Sequence, residues 1–217
     1  MRKPLLEFTD RGIYCAAADV YLDPWKPVKK ALISHGHSDH SRPGHGQYIT
    51  HKRNIPIITH RLGALNAKGV EWDEPIHIRG VRFSFHPSGH IVGASQIRVE
   101  YQGEVWVFSG DYKTEDDGLS TPFEPIRCHT FITECTFGLP AFSWEPQAAV
   151  MESINTWWNE VRSAGRTAVL FAYSLGKAQR LLAHLDQSIG TVFTHGAIEN
   201  MTGVVRHIKT LPPTRLI

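Results

Sequence analysis

Up to about Cys135 the chain alternates short apolar runs with glycine and proline punctuation, the pattern of short strands separated by turns. Strands are expected at Tyr21–Leu22, Ala31–Ser34, Ile55–Thr59, Ile76–Ile78, Val81–Phe85, Ser95–Tyr101, Glu104–Ser109 and Thr130–Thr133. Two of the intervening pairs, Arg79-Gly80 and Gln102-Gly103, fit two-residue hairpin turns. From Glu145 the period changes. Val150, Ile154, Trp157, Trp158 and Val161 fall close to helical spacing, with Pro146 in the first turn and Gly165 past the end, which predicts an amphipathic helix over Glu145–Ala164. Strand Thr167–Tyr173, helix Lys177–Leu185, strand Thr191–Thr194 and helix Ile198–Ile208 should follow, an alternation that predicts a parallel βαβ unit. A parallel sheet of two strands is unfinished, because such strands are normally covered on both faces. The pattern therefore predicts a piece of a longer protein.

The 217 residues, 41% hydrophobic and 20% charged, belong to an ordinary globular chain able to bury a core. No apolar run reaches the roughly 18 residues of a membrane span, and the start, MRKPLLEFTDRG, has no signal-peptide core, so a cytoplasmic protein is expected. Cys15, Cys128 and Cys135 are odd in number and lack C-x-x-C spacing, which argues against disulfides or a thiolate zinc site. The net charge of +2 divides as 14 basic against 10 acidic residues up to Gly110 and 9 against 11 beyond, too weak an excess to indicate nucleic acid by itself.

Histidine changes the picture. There are 13, and four chemically suggestive positions fall together in His35-Gly36-His37-Ser38-Asp39-His40, directly after the apolar run Ala31–Ser34. At a strand end His35 and His37 point the same way, while Asp39 and His40 fall in the next turn and can face a second ion. His90, in Pro87-Ser88-Gly89-His90, offers a third imidazole to the ion of His35 and His37. Asp111, in Ser109-Gly110-Asp111, is placed to bridge two cations, and Asp23 to support the ligand loop from behind. Imidazoles and carboxylates without thiolates are the donors of a hydrolytic metal pair. Two such ions about 3.5–4 Å apart can clamp the attacking and leaving oxygens of a phosphoryl group. The remaining histidines are read as ordinary core or surface residues.

The motif H-x-H-x-D-H after a strand, followed by Ser-Gly-His and Ser-Gly-Asp at later strand ends, resembles the metallo-β-lactamase superfamily over residues 20–111. Ile132-Thr133-Glu134-Cys135-Thr136-Phe137-Gly138 resembles the acidic motif that opens its β-CASP branch of nucleic-acid-processing enzymes, which includes Artemis-type nucleases. Within that branch Ala172-Tyr173-Ser174-Leu175-Gly176-Lys177 and His195–Asn200 look like the bacterial exonucleases encoded beside an ATP-dependent DNA ligase.

The resemblance implies an α/β fold, an αββα sandwich over residues 1–164 followed by the start of an inserted β-CASP domain over 165–217. It implies two divalent ions, zinc foremost with manganese or magnesium as alternatives, and places Glu134 beside them. Asp39, Asp111 and Glu134 are the expected catalytic residues, with Asp39 orienting the attacking water. Ser174, Gly176 and Lys177 are expected to contact phosphate through a helix start, with Ser174 as a plain helix cap as the other reading. DNA is the implied substrate, hydrolysed exonucleolytically in end processing or repair, with a DNA ligase and a helicase as implied partners. The alternatives are an RNA-processing nuclease of the same branch, a small-ester or thioester hydrolase, and an inactive nucleic-acid-binding fragment. The family places further histidines after the inserted domain, so the second ion here would keep only Asp39, His40 and the bridging Asp111.

Overall fold

The computed structural model describes residues Pro4–Ile217, which form two compact units. One runs through Asp116 and takes in Ser120–Glu134; the other comprises Asp117–Leu119 and Cys135–Ile217.

The first unit is two facing sheets. Strands β1 (Glu7–Phe8), β2 (Ile13–Cys15), β3 (Val20–Leu22), β4 (Ala31–Leu32), β5 (Tyr48–His51) and β6 (Ala67–Val70) pair in sequence order, antiparallel up to β3 and parallel beyond it. Strands β7 (Ile76–Ile78), β8 (Val81–Pro87), β9 (Ser95–Tyr101), β10 (Glu104–Phe108) and β11 (Thr130–Ile132) make the second sheet. Its first four strands meander antiparallel, and β11 lies parallel to β10. Alternation along the strands turns Leu22, Leu32 and Ile49 from one sheet and Phe83, Phe85, Ile97 and Val99 from the other into one buried core. Both predicted hairpins form around Arg79-Gly80 and Gln102-Gly103, all four residues at positive φ as a type I′ turn requires.

Helix α1 (Ile55–Leu62) covers the outer face of the first sheet, where Ile58 packs with Ala31, Ile33 and Tyr48. This corrects the expected strand at Ile55–Thr59. A short apolar run fits either element, and Pro56, which cannot donate to a ladder, fits the first helical turn. Strands β5 and β6 have no counterpart in the sequence reading. The loop from β10 to β11 lies over the outer face of the second sheet. Gln96 Nε2 donates to the Pro87 carbonyl at 3.0 Å and to the Glu124 carbonyl at 2.7 Å, tying that loop down.

In the second unit α2 (Gln147–Ser163), α3 (Lys177–His184) and α4 (Gly196–Arg206) match the predicted helices to within a few residues. The expected strand Thr167–Tyr173 does not form; among the described residues no strand pairs with it, and Phe171 is 95% exposed. A strand needs a neighbouring edge, which propensity alone does not supply. The parallel pairing occurs later, between β12 (Phe193–Thr194) and β13 (Arg215–Leu216), on either side of α4. Glu199 on α4 fastens it, accepting from Thr194 and Thr214 Oγ1 at 2.5 Å each and from Arg206 at 2.8 Å. Among the described residues no helix is long and apolar enough to cross a membrane.

Candidate metal centre

Strand direction gathers the site. Because β8, β10 and β11 run the same way, the residues following them, His90, Asp111 and Glu134, emerge at one end of the second sheet. The loop after β4 reaches the same place, because Ser95 N at the start of β9 donates to the Ser34 carbonyl at 2.9 Å. Gly110 permits the close approach: with φ +52°, a Cβ there would lie 2.7 Å from the Ser34 side chain.

Three ring nitrogens and a carboxylate converge. His37 Nδ1 lies 3.0 Å from His35 Nε2 and 3.1 Å from His90 Nε2; Asp111 Oδ2 lies 3.2 Å from His90 Nε2 and 3.7 Å from His35 Nε2. A tetrahedral cation with bonds of about 2.0–2.1 Å sets its ligand atoms about 3.3 Å apart, so this set fits a zinc-sized ion. The other Asp111 oxygen, Oδ1, lies 3.4 Å from His40 Nε2, which is also 3.8 Å from Asp39 Oδ2. His40, Asp111 and Glu134 make a second convergent group. Asp111 thus presents one oxygen to each group.

Burial and charge sharpen the picture. His35 is fully buried, and desolvation together with the neighbouring imidazoles holds its pKa well below the ordinary value, keeping it a neutral donor. Burial opposes the charged form of His40 as well, but Asp111 and Asp23 outweigh it and raise its pKa to about 11. The same imidazoles hold the Asp111 carboxyl far below the usual range despite its burial.

Asp23 sits behind the loop rather than among the donors. Its Oδ1 accepts from Ser34 N at 2.7 Å, and its Oδ2 accepts from Ser34 Oγ and lies 2.7 Å from His40 Nδ1. That contact leaves His40 Nε2 as the atom facing Asp111. Asp23 has φ +39°, a conformation that Asp tolerates.

Three supporting residues went unseen in the sequence. Arg61 on α1 donates to the Gly36 carbonyl at 2.7 Å, the Ser41 carbonyl at 3.3 Å and Ser41 Oγ at 2.6 Å, clasping both ends of the ligand loop. Ser34 joins Asp23 to that loop, and Ser109 Oγ accepts from Glu134 N at 3.1 Å. Ser34 and Ser109 adjoin the motifs they serve, a signal that could have been followed; Arg61 is 20 residues from Ser41 and carries none.

Ser174, Gly176 and Lys177 lie in the second unit. Gly176, at φ +92°, is the residue that caps α3, and its N–H is taken by Gln179 Oε1 at 2.8 Å rather than left open. The Lys177 ammonium rests 5.3 Å from the centroid of the Tyr173 ring. His195 caps α4, Nδ1 accepting from Ala197 N at 3.2 Å.

A two-sheet sandwich gathers imidazoles and carboxylates at the ends of its strands in groups that could hold metal ions. No family model matches the chain. A probable DNA ligase of Opitutus terrae is 30% identical over 211 residues, covering 94% of this chain and 20% of its own length. Endoribonuclease ysh1 of Schizosaccharomyces pombe is 32% identical over 168 residues, covering 76% of this chain and 21% of its own. The chain therefore spans about a fifth of the length of these curated relatives. A crystal structure of a protein of unknown function from Enterococcus faecalis superposes with a TM-score of 0.58 at 13% identity, over 82% of this chain and 48% of that one, a likeness of fold. Over most of its length the chain is similar to these proteins, a likeness consistent with the metallo-β-lactamase superfamily and its β-CASP branch.

Proposed function

We propose that this chain carries the metal-binding half of a phosphodiesterase acting on nucleic acid, with DNA ends as its substrate and exonucleolytic hydrolysis in DNA repair as its reaction. The observation that carries the reading is Asp111, whose two oxygens face separate donor sets, His35, His37 and His90 on one side and His40 with Glu134 on the other, Asp39 lying 3.8 Å from His40 Nε2. When bound, a pair of divalent cations, zinc foremost, would supply Lewis-acid polarisation of the phosphoryl oxygens and lower the pKa of water. His35, His37, His90 and Asp111 would hold one ion; Asp39, His40 and Asp111 the other. Asp39, with a side chain 70% exposed, is open to an incoming water and would accept its proton. Glu134, held by Ser109, adds a carboxylate at the rim.

The DNA preference draws support from the probable DNA ligase, which matches nearly the whole of this chain. Of Ser174, Gly176 and Lys177, Ser174 and Lys177 are the proposed phosphate contacts, Lys177 as the cationic one, with Gly176 shaping the turn between them while its N–H is taken by Gln179. A DNA ligase and a helicase are the proposed partners, and a cytoplasmic location and a domain boundary near residue 164 belong to the same reading. The endoribonuclease relatives favour a second reading, RNA as the substrate.

The test is metal content and cleavage by the purified chain on matched 5′-phosphorylated single-stranded DNA and RNA, alongside Asp111→Asn and Asp39→Ala. Bound divalent ions, DNA shortened from an end, and loss of both in Asp111→Asn are expected. Preferential RNA cleavage would reverse the substrate assignment, and full activity in Asp111→Asn would overturn the site.

A further inference from the structure

We propose a third cation site, formed by Asp73, His86 and Glu124, sharing no residue with the donor sets around Asp111. It lies on the opposite face of the second sheet from the core. Phe83 and Phe85 of β8 point inward, so Ser84 and His86 point outward beneath the loop that joins β10 to β11. His86 is 7% exposed, yet both groups meeting its Nδ1 are carboxylates: Asp73 Oδ1 at 2.8 Å and Glu124 Oε1 at 3.2 Å. These separations approach the roughly 3.3 Å edge of a tetrahedral zinc shell.

Nε2 lies 2.9 Å from Ser84 Oγ, which can accept its hydrogen when a cation takes the Nδ1 lone pair in place of the proton that Nδ1 shares with the acids. A single Nδ1 proton could balance only one of the two carboxylates. A divalent cation balances both while taking the nitrogen as its third donor, and because Asp73 is 64% and Glu124 44% exposed, water can complete the shell. One nitrogen and two carboxylate oxygens suit zinc or manganese.

The three donors are fixed by independent backbone anchors. Asp73 N donates to the Phe85 carbonyl at 3.0 Å, and Asp73 occupies a left-handed conformation at φ +60°. Glu124 N donates to the Pro87 carbonyl at 3.2 Å, and the Glu124 carbonyl accepts from Gln96 Nε2 at 2.7 Å. A cation here would staple three segments: the link before β7, the strand leading to His90, and the loop leading to Glu134.

The experiment is equilibrium dialysis against zinc, comparing wild type with Asp73→Asn/Glu124→Gln, and repeating the pair in a His37→Ala/His90→Ala background. The amide pair is expected to bind one zinc fewer per chain in both backgrounds, and zinc is expected to raise the melting temperature of the His37→Ala/His90→Ala protein only while both acids are present. Equal stoichiometry in both comparisons would overturn the site, whatever becomes of the nuclease assignment. Nitrogen NMR of wild-type His86 provides a readout that needs no variant. Nδ1 should change signature on zinc addition, and a ring that stays a doubly protonated imidazolium through saturation would equally refute the proposal.

Discussion

Replacing Asp23 by Asn tests whether this buried carboxylate sets the tautomer of His40. The substitution keeps size, keeps a residue that tolerates φ +39°, and keeps an oxygen for Ser34 N at 2.7 Å. What changes is the other atom, which becomes an amide donor facing His40 Nδ1 at 2.7 Å. Nδ1 must then accept, so neutral His40 carries its hydrogen on Nε2, the atom that faces Asp111 Oδ1 at 3.4 Å. A hydrogen bond to a charged partner contributes about 1.5–3 kcal/mol, so the His40 pKa, raised to about 11 by Asp111 and Asp23 against the cost of burial, should fall by roughly one to two units. The sign follows from linkage. A raised folded pKa gives stability that is complete below about 6.5 and lost as pH rises through the folded value; in Asp23→Asn that contribution is smaller and its loss is complete at lower pH. Zinc affinity of the His40 set should drop about 10–100-fold, while that of His35, His37 and His90 is unchanged. Nitrogen NMR follows the tautomer and titration, and zinc dialysis follows the two sets. An unaltered His40 titration together with unaltered zinc binding would refute the reasoning. Asp23→Ala, by contrast, also strands the buried Ser34 N–H and should cost about 1–3 kcal/mol of stability.

Other predictions follow from single contacts. Gly36→Ala places a Cβ 2.5 Å from Ile57 Cγ2 and should destabilise by about 1–3 kcal/mol in urea titration, a penalty that should shrink when it is measured in an Ile57→Ala background. Arg61→Ala unclasps Gly36 and Ser41 and should lower both stability and zinc affinity without touching a donor; unchanged zinc binding would show that the loop holds itself. His51 is fully buried against Trp72, with ring centroids 3.5 Å apart, and desolvation lowers its pKa to about 4. The unfolded chain then binds the extra proton first, so stability falls as pH drops from about 6.5 to 4, by at most about 3 kcal/mol. Urea midpoints in wild type and His51→Gln should diverge across that window, and parallel curves would count against it.

The candidate donors were legible because they are local. His35, His37, Asp39 and His40 fall within six residues, and the strand-end motifs around His90 and Asp111 carry their own glycines. Hairpins and helices were legible for the same reason: Arg79-Gly80, Gln102-Gly103 and the apolar period of α2 depend on near neighbours. The failures lie where the outcome depends on distant partners. Ile55–Thr59 has an apolar run that suits a strand, but packing on the first sheet made it helix α1. Thr167–Tyr173 has strand propensity and no edge to pair with among the described residues.

Sequence by itself determined which donors this protein owns and the order in which they leave their strands, since ligand chemistry and turn geometry are properties of adjacent residues. Only the tertiary structure decided that Asp111 faces two donor sets and that Asp23 turns His40. It alone decided that Arg61 grips a loop 20 residues away and that Asp73, His86 and Glu124 meet on the outer sheet face. Each of those depends on strand direction and close approach between segments far apart in the chain, and no local pattern encodes a distance across a fold.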